Sequence, residues 1–302
     1  MFLDGSKIQQ IYIFVRKSYN IMGEIIYDGA GNLFRMIDGR GSTIPSSVYE
    51  GEKARELCVL SDGSKVDGVI LISAAESGES DFSMHYFNND GSGGMMCGNG
   101  GRCAIAFARD IGFAPSSPDG IYRFTSAGNV YSGEILNDGT DDKVVRLKMA
   151  DVYDVRRIKE TGKTYGDGWY LDVGCPHYVI FLDSVEDVRA LDIESAALPW
   201  RHNPLFPFGA NVDFAAFEAH GAGCFVIRTF EKGVEAETLS CGTGIIATSI
   251  AAALKVGFTG PIHFDVRARG GDLSVDMDIP LDREDGTPAA TEIFLVGPTH
   301  RH

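Results

Sequence analysis

Cys97-Gly98-Asn99-Gly100 and Cys241-Gly242-Thr243-Gly244 are the two stretches on which the reading of this chain turns. Each opens an Ala-rich, almost wholly apolar run, the first stopping at Gly112 and the second at Gly257. Runs of that composition predict buried helices rather than amphipathic ones. A glycine just beyond the last turn is the usual helix ending. One such tetrapeptide would be weak. Two, in equivalent settings, predict a duplicated fold with a cysteine at each matching helix N-terminus.

Around these two points the sequence is mostly strand-like. Short runs rich in Val, Ile, Phe and Tyr recur from 24–28 to 293–296, bounded by Gly, Asp, Asn and Pro. Two further helices are predicted, over 47–60 with Ser46 or Ser47 as N-cap, and over 184–191 behind Asp183. Asp138-Gly139, a hairpin-type pair in a polar stretch, marks the expected boundary between halves. The domains expected are therefore 22–142 and 143–289, after a leader at 1–21 with Met22 as the natural start.

The bulk properties narrow the function. A chain of 302 residues, 44% apolar and 23% charged, suits one large soluble domain or two moderate ones. A net charge of -15 argues against nucleic acid, whose phosphates need clustered Lys and Arg. The apolar run 11–15 is too short to cross a bilayer, and Arg16 and Lys17 make it a poor signal peptide. A cytoplasmic protein without membrane contact is expected, with a homodimer as the candidate assembly. The six cysteines do not form a secreted disulfide pattern. Cys58, Cys103 and Cys224 sit in apolar runs and are expected to be small buried hydrophobes.

Cys97 and Cys241 invite chemistry instead. A helix N-terminus offers unpaired N–H groups and partial positive charge. Both are expected to lower a thiol from its free value of roughly 8.5 toward neutrality. Glycines let the backbone approach a ligand, so the same N–H groups can hold a carboxylate. Two such turns facing each other would supply a base on one face of an α-carbon and an acid on the other. They would also supply donors for the charge that deprotonation sends onto the carboxylate.

Other uses of these turns fit less well. Cys97 and Cys103 lack zinc-ligand spacing, no Lys-Ser/Thr follows the glycines as in a phosphate loop, and no Gly-x-Ser-x-Gly elbow occurs. A Cys97–His177 hydrolase would leave the second turn unexplained. From a different class, a thiol-redox or binding protein would use Cys97 and Cys241 as a disulfide switch.

The residues resemble the diaminopimelate epimerase family. Phe87 to Ser92, leading to Met96-Cys97-Gly98-Asn99-Gly100 and Arg102, is similar to its first active-site motif. Glu231-Lys232-Gly233-Val234, continuing through Glu237 to Gly244, is similar to the second. Gly29 to Phe34, Pro176-His177 and Gly209 to Val212 match its loops, in order, from about Met22 to Pro298.

The resemblance implies an α/β fold of the α+β type. It has two similar domains, each a β-sheet curled around a central helix, the active site in the cleft between them, and a last strand over 290–302 returning to the first domain. It implies interconversion of LL- and meso-diaminopimelate without cofactor or metal, or racemisation of another amino acid on the same fold, with Cys97 and Cys241 as the acid/base pair and His177 and Glu231 tuning them. Asn32, Asn88, Asn211 and Lys232 would hold substrate, with backbone N–H groups of Gly98, Asn99, Gly242 and Thr243. Taken singly, the three asparagines would serve turns, His177 would be structural and Glu231 an exposed carboxylate. Placement within the motifs tips each toward function. Three positions depart from the family pattern: Lys232 where Arg is usual, Cys175 where Asn or Ser is common, and Gly68 after Asp67.

Overall fold

The computed structural model describes residues 24–41, 49–75, 78–94, 96–219, 223–281 and 286–302. The leader and Met22 lie outside them, as do Ser46 and Ser47. The first part of the chain forms β1 (Ile26–Asp28), β2 (Leu33–Asp38), α1 (Glu52–Leu57), β3 (Gly68–Ala74), β4 (Phe82–Asn88), α2 (Gly98–Asp110), β5 (Tyr122–Ser126), β6 (Asn129–Asp138) and β7 (Asp142–Lys148). Next come β8 (Val155–Lys159), β9 (Asp167–Asp172), β10 (Pro176–Phe181), α3 (Val185–Ala190), α4 (Ile193–Arg201), β11 (Asn211–Phe217), β12 (Cys224–Glu231) and β13 (Ala236–Thr238). The chain ends with α5 (Gly242–Val256), β14 (Gly260–Ala268), β15 (Gly271–Ile279) and β16 (Thr291–Arg301).

Strand pairing states the duplication directly. In the first part β1 and β2 are antiparallel, β2 and β3 parallel across α1, β3 and β4 antiparallel, and β4 and β5 parallel across α2. β6 and β7 then follow antiparallel. The second part repeats the series. β9 and β10 are antiparallel, β10 and β11 parallel across α3 and α4, β11 and β12 antiparallel, and β12 and β14 parallel across α5. β15 and β16 close it, antiparallel. Each parallel step needs a crossover, and a helix supplies it.

β16 is the seam. Its start pairs with β15, its middle and end with β7, and His300 and Arg301 with β1. Alternation along β16 buries Ile293 and Leu295. The α2 helix is buried from Gly98 through Ala108, among Tyr27, Phe34, Ile70, Phe82, Phe124 and Leu147. The α5 helix packs Ile245, Ile246 and Ile250 against Leu171, Val179, Phe225, Phe264 and Leu295. Each such fully buried side chain contributes about 1.5–3 kcal/mol.

Several expectations need correction. The first predicted helix covers only Glu52–Leu57, because Val59 leaves it to bridge Lys65. The cap of α3 is Ser184 rather than Asp183, its hydroxyl accepting from the Asp187 N–H at 3.1 Å. Pro199 disguises α4, which nevertheless starts on the Asp192 cap. Asp138-Gly139 leads from β6 into β7, and the two strands pair with each other. Cys58 and Cys103 are buried as expected, but Cys224 is half-exposed at the start of β12. No helix among the described residues is long and apolar enough to cross a membrane.

Candidate active site

Both cysteines are helix N-caps in nearly the same backbone conformation. Cys97 has φ -114° and ψ 120°, and Cys241 has φ -117° and ψ 107°. An extended cap followed by a helical first turn turns the leading N–H groups outward, with no intrahelical acceptor. The Gly100 N–H donates to Cys97 Sγ at 3.4 Å. The Thr243 hydroxyl lies 3.3 Å from Cys241 Sγ.

The glycines bring the two helix starts together. A Cβ on Gly98 would sit 3.2 Å from Leu295 Cδ2, and one on Gly242 would sit 3.0 Å from the same atom and 3.8 Å from Gly98 Cα. The two N-termini therefore abut above Leu295, on the seam strand. Asn99 binds them further: its amide donates to Asn32 Oδ1 at 2.6 Å and to the Ser240 carbonyl at 3.5 Å, and its oxygen accepts from Arg102 at 3.1 Å.

The expectation that the helix termini lower both thiols is overturned. Burial raises Cys97, the Gly100 N–H opposes it, and the Glu231 carboxylate adds to it. Burial raises Cys241 well above the ordinary thiol value, reinforced by Glu231 and Asp213. Desolvating a thiolate outweighs the partial charge of one helix end. Glu231 is itself raised, chiefly by burial. Its charge bears on both cysteines.

Beneath Cys241 lies a polar network that sequence reasoning located only in part. His177 is fully buried, its Nδ1 2.7 Å from Asp213 Oδ2 and its Nε2 3.0 Å from the Thr243 hydroxyl. Thr229 donates to the other Asp213 oxygen at 2.7 Å. Burial alone would lower the imidazole, but Asp213 and then Cys175 push it up to about 10. Cys175 Sγ stands 3.4 Å from His177 Nε2 and 3.4 Å from the Thr243 hydroxyl, and Asn211 Nδ2 lies 3.6 Å from it. Asp213 and Thr229 were not anticipated. The available signal was an acid inside the apolar run Val212 to Phe217, with Asn211 on the same strand face.

The repeat shows how the two halves differ. The six-residue β2 and β10 pair in parallel with the seven-residue β3 and β11, Phe34 opposite Gly68 and His177 opposite Asn211. Phe34 thus corresponds to His177 and Ile70 to Asp213. A Cβ on Gly100 would meet Ile70 Cδ1 at 3.1 Å, whereas one on Gly244 would meet Asp213 Oδ1 at 2.6 Å. Cys97 caps a helix with an apolar floor. Cys241 caps one with a charged floor.

The remaining predicted residues distribute as follows. Asn211 donates to the Pro176 carbonyl at 2.9 Å and accepts from the Lys232 N–H at 2.7 Å, which ties the loop after β12 to the network. The Lys232 side chain is half-buried and makes no ion pair among the described residues. Asn32 lies 3.5 Å from Asp67 as well as on Asn99. Asn88 holds its own turn, accepting from the Tyr86 hydroxyl and donating to Ser92 Oγ at 3.0 Å.

Comparison with known proteins places this geometry. The family model for diaminopimelate epimerase matches residues 25–144 and 169–287. The chain is 34% identical over 281 residues to the diaminopimelate epimerase of Hydrogenobaculum sp. (strain Y04AAS1), covering 90% of this chain and 94% of that one. It is 36% identical over 275 residues to the diaminopimelate epimerase of Chlorobaculum tepidum, covering 89% and 95%. Among solved structures it shares the fold of a Bacillus anthracis phenazine biosynthesis protein of the PhzF family, with TM-score 0.69, 13% identity and coverage of 92% and 96%. A hydroxyproline epimerase from Agrobacterium vitis gives TM-score 0.61, 15% identity and coverage of 92% and 91%. With both halves matched by one model and full-length relatives above 30% identity, the chain belongs to the diaminopimelate epimerase family.

Proposed function

We propose that this chain interconverts LL- and meso-diaminopimelate by moving one α-proton between Cys97 and Cys241. The observation that carries the reading is the abutment of two cysteine-capped helix starts above Leu295. Each unit is read as a sheet curled around its central helix, the first completed by the returning strand β16, with the site in the cleft between. The enzyme is then an isomerase of lysine biosynthesis, acting on a precursor that also serves the cell wall.

The substrate α-carboxylate sits in the cradle of N–H groups from Gly98, Asn99, Gly242 and Thr243, at the joint positive ends of two helices. One cysteine, as thiolate, removes the α-proton from its face. The other, as thiol, returns a proton to the opposite face. Charge thrown onto the carboxylate oxygens is met by donors already in place, which stabilises the carbanion-like transition state. Glu231 bears on both thiols, while His177 reaches Cys241 through Thr243. Asn32 fixes Asn99, and Asn88, Asn211 and Lys232 hold the substrate's far end, where Lys232 supplies the cation for a distal carboxylate.

The test is direct. The purified protein should convert LL-diaminopimelate to the meso form on a chiral column. Cys97→Ala and Cys241→Ala should each abolish conversion while leaving the far-ultraviolet circular dichroism unchanged. Near-normal conversion by either variant would sink the two-thiol assignment. Turnover of a different amino acid, with none of diaminopimelate, would sink the substrate assignment alone.

A further inference from the structure

Cys175 stands two residues before His177, as Asn32 stands two before Phe34. The register of the repeat makes these positions equivalent, and Gly31 and Gly174 before them both take positive φ, 89° and 97°. Asn99 and Thr243 are equivalent too, each the second residue after a capping cysteine. In the first unit the pair is Asn32 and Asn99, amide on amide at 2.6 Å, with no titrating proton. In the second it is Cys175 and Thr243, thiol on hydroxyl at 3.4 Å. The repeat has placed an ionisable group where its counterpart is neutral.

The surroundings of the three thiols differ. Cys175 Sγ is approached by Thr243 Oγ1, His177 Nε2 and Asn211 Nδ2, at 3.4, 3.4 and 3.6 Å. Asn211 Nδ2 donates to it and protonated His177 can do so, while the Thr243 oxygen accepts from the Cys175 thiol and can return its own hydrogen to the thiolate. Cys97 has the Gly100 N–H, and Cys241 has the Thr243 hydroxyl. Thr243 Oγ1 thus touches both Cys175 and Cys241.

We propose that Cys175 is the resting thiolate of the site and that it arms Cys241 by taking its proton through the Thr243 hydroxyl. The Thr243 oxygen accepts the proton of the Cys241 thiol as its own hydrogen passes to Cys175 Sγ. One S–H bond breaks at Cys241 and one forms at Cys175. The hydroxyl is regenerated, and the negative charge moves from Cys175 to Cys241 with no net gain or loss of protons. Cys175 acts through Thr243 and is a positioning residue. The inference rests on the reading of Cys241 as a proton carrier.

The charges around the relay run in the same direction. Burial would raise Cys175, but His177 beside it holds it below the ordinary thiol value. Burial, Glu231 from β12 and Asp213 from β11 hold Cys241 well above that value. Before substrate binds, the charge therefore rests on Cys175. A bound substrate's α-ammonium brings the positive charge that Cys241 lacks, and so draws the charge across.

The test has one arm without substrate and one with it. Iodoacetamide labelling of the unmodified protein at about pH 7, below the free thiol value of ~8.5, is followed by mass spectrometry of the cysteine peptides. Cys175 should label roughly tenfold or more faster than Cys97 or Cys241. Cys175→Ser, close to isosteric, should lower kcat for diaminopimelate more than it changes KM. It should also move the acid limb of the kcat profile to higher pH, because Cys241 must then ionise unaided. Thr243→Val should move the same limb while leaving Cys175 the fastest thiol to label. Labelling of Cys175 no faster than the other two overturns the resting-thiolate assignment. An unchanged pH profile in Cys175→Ser overturns the relay. Fast labelling of Cys175 with no turnover of diaminopimelate supports the first half and counts against the substrate assignment instead.

Discussion

Asp213 sets the charge state of His177 through a buried contact to its Nδ1 at 2.7 Å. The folded imidazole titrates at about 10, against 6.5 unperturbed, so the folded state binds that proton more tightly than the unfolded chain. The stabilisation is complete below about pH 6.5 and declines as pH rises toward 10. Asp213→Asn removes the carboxylate that holds the proton. The stability gap between the unmodified protein and this variant should be widest in mild acid and narrow toward pH 10, as read by urea melts across the range. A gap that widens with pH would assign the charge differently. Lys232 offers a second residue-level test. If it pairs with a distal carboxylate, Lys232→Ala forfeits a charge-assisted bond of about 1.5–3 kcal/mol, roughly ten- to a hundredfold in kcat/KM. Lys232→Arg should keep or improve activity, since the guanidinium fork suits a carboxylate. Loss of activity in Lys232→Arg with little change in Lys232→Ala would mean a substrate without that group.

Among the elements, α5 is the one whose position the chemistry tolerates least. Gly244 lies where a Cβ would stand 2.6 Å from Asp213 Oδ1 and 3.0 Å from Thr229 Oγ1. Gly244→Ala should therefore push the helix start off its polar floor, costing about 1–3 kcal/mol in stability and a larger share of kcat. Normal kcat in this variant would show that the floor does not set Cys241. The caps of α2 and α5 were legible in the sequence because cysteine, glycine and an apolar run recur together, and the two helices end within two residues of where Gly112 and Gly257 place them. The α4 helix was hidden because Pro199 breaks its pattern, although Asp192 caps it by accepting from the Ser195 N–H at 3.4 Å. Asp213 was hidden for another reason. A single acid in an apolar strand signals burial, but its partner His177 is 36 residues away and meets it only through the parallel register of β10 and β11. The thiol shifts were misread because the dipole of a helix end is local and visible in sequence. Desolvation depends on the whole packing around the cap.

At the scale of the molecule, the duplication explains both the likeness and the asymmetry of the site. Two copies of one strand and helix order, joined at β16, bring two closely similar cap geometries onto Leu295. The same correspondence puts Phe34 and Ile70 under one cap and His177 and Asp213 under the other. A proton carried between opposite faces needs that arrangement. One thiol must be deprotonated while the other is protonated, so that one takes while the other gives, and the two exchange roles when the reaction runs in reverse. The most direct test is the fate of label in deuterated water at low conversion, with LL-diaminopimelate and the unmodified protein. Proton delivery from the opposite thiol should place one α-deuterium in each meso product molecule while the unreacted LL substrate keeps its α-proton. Deuterium appearing equally in recovered substrate and product would mean a single base serving both faces, and would contradict the two-cysteine mechanism.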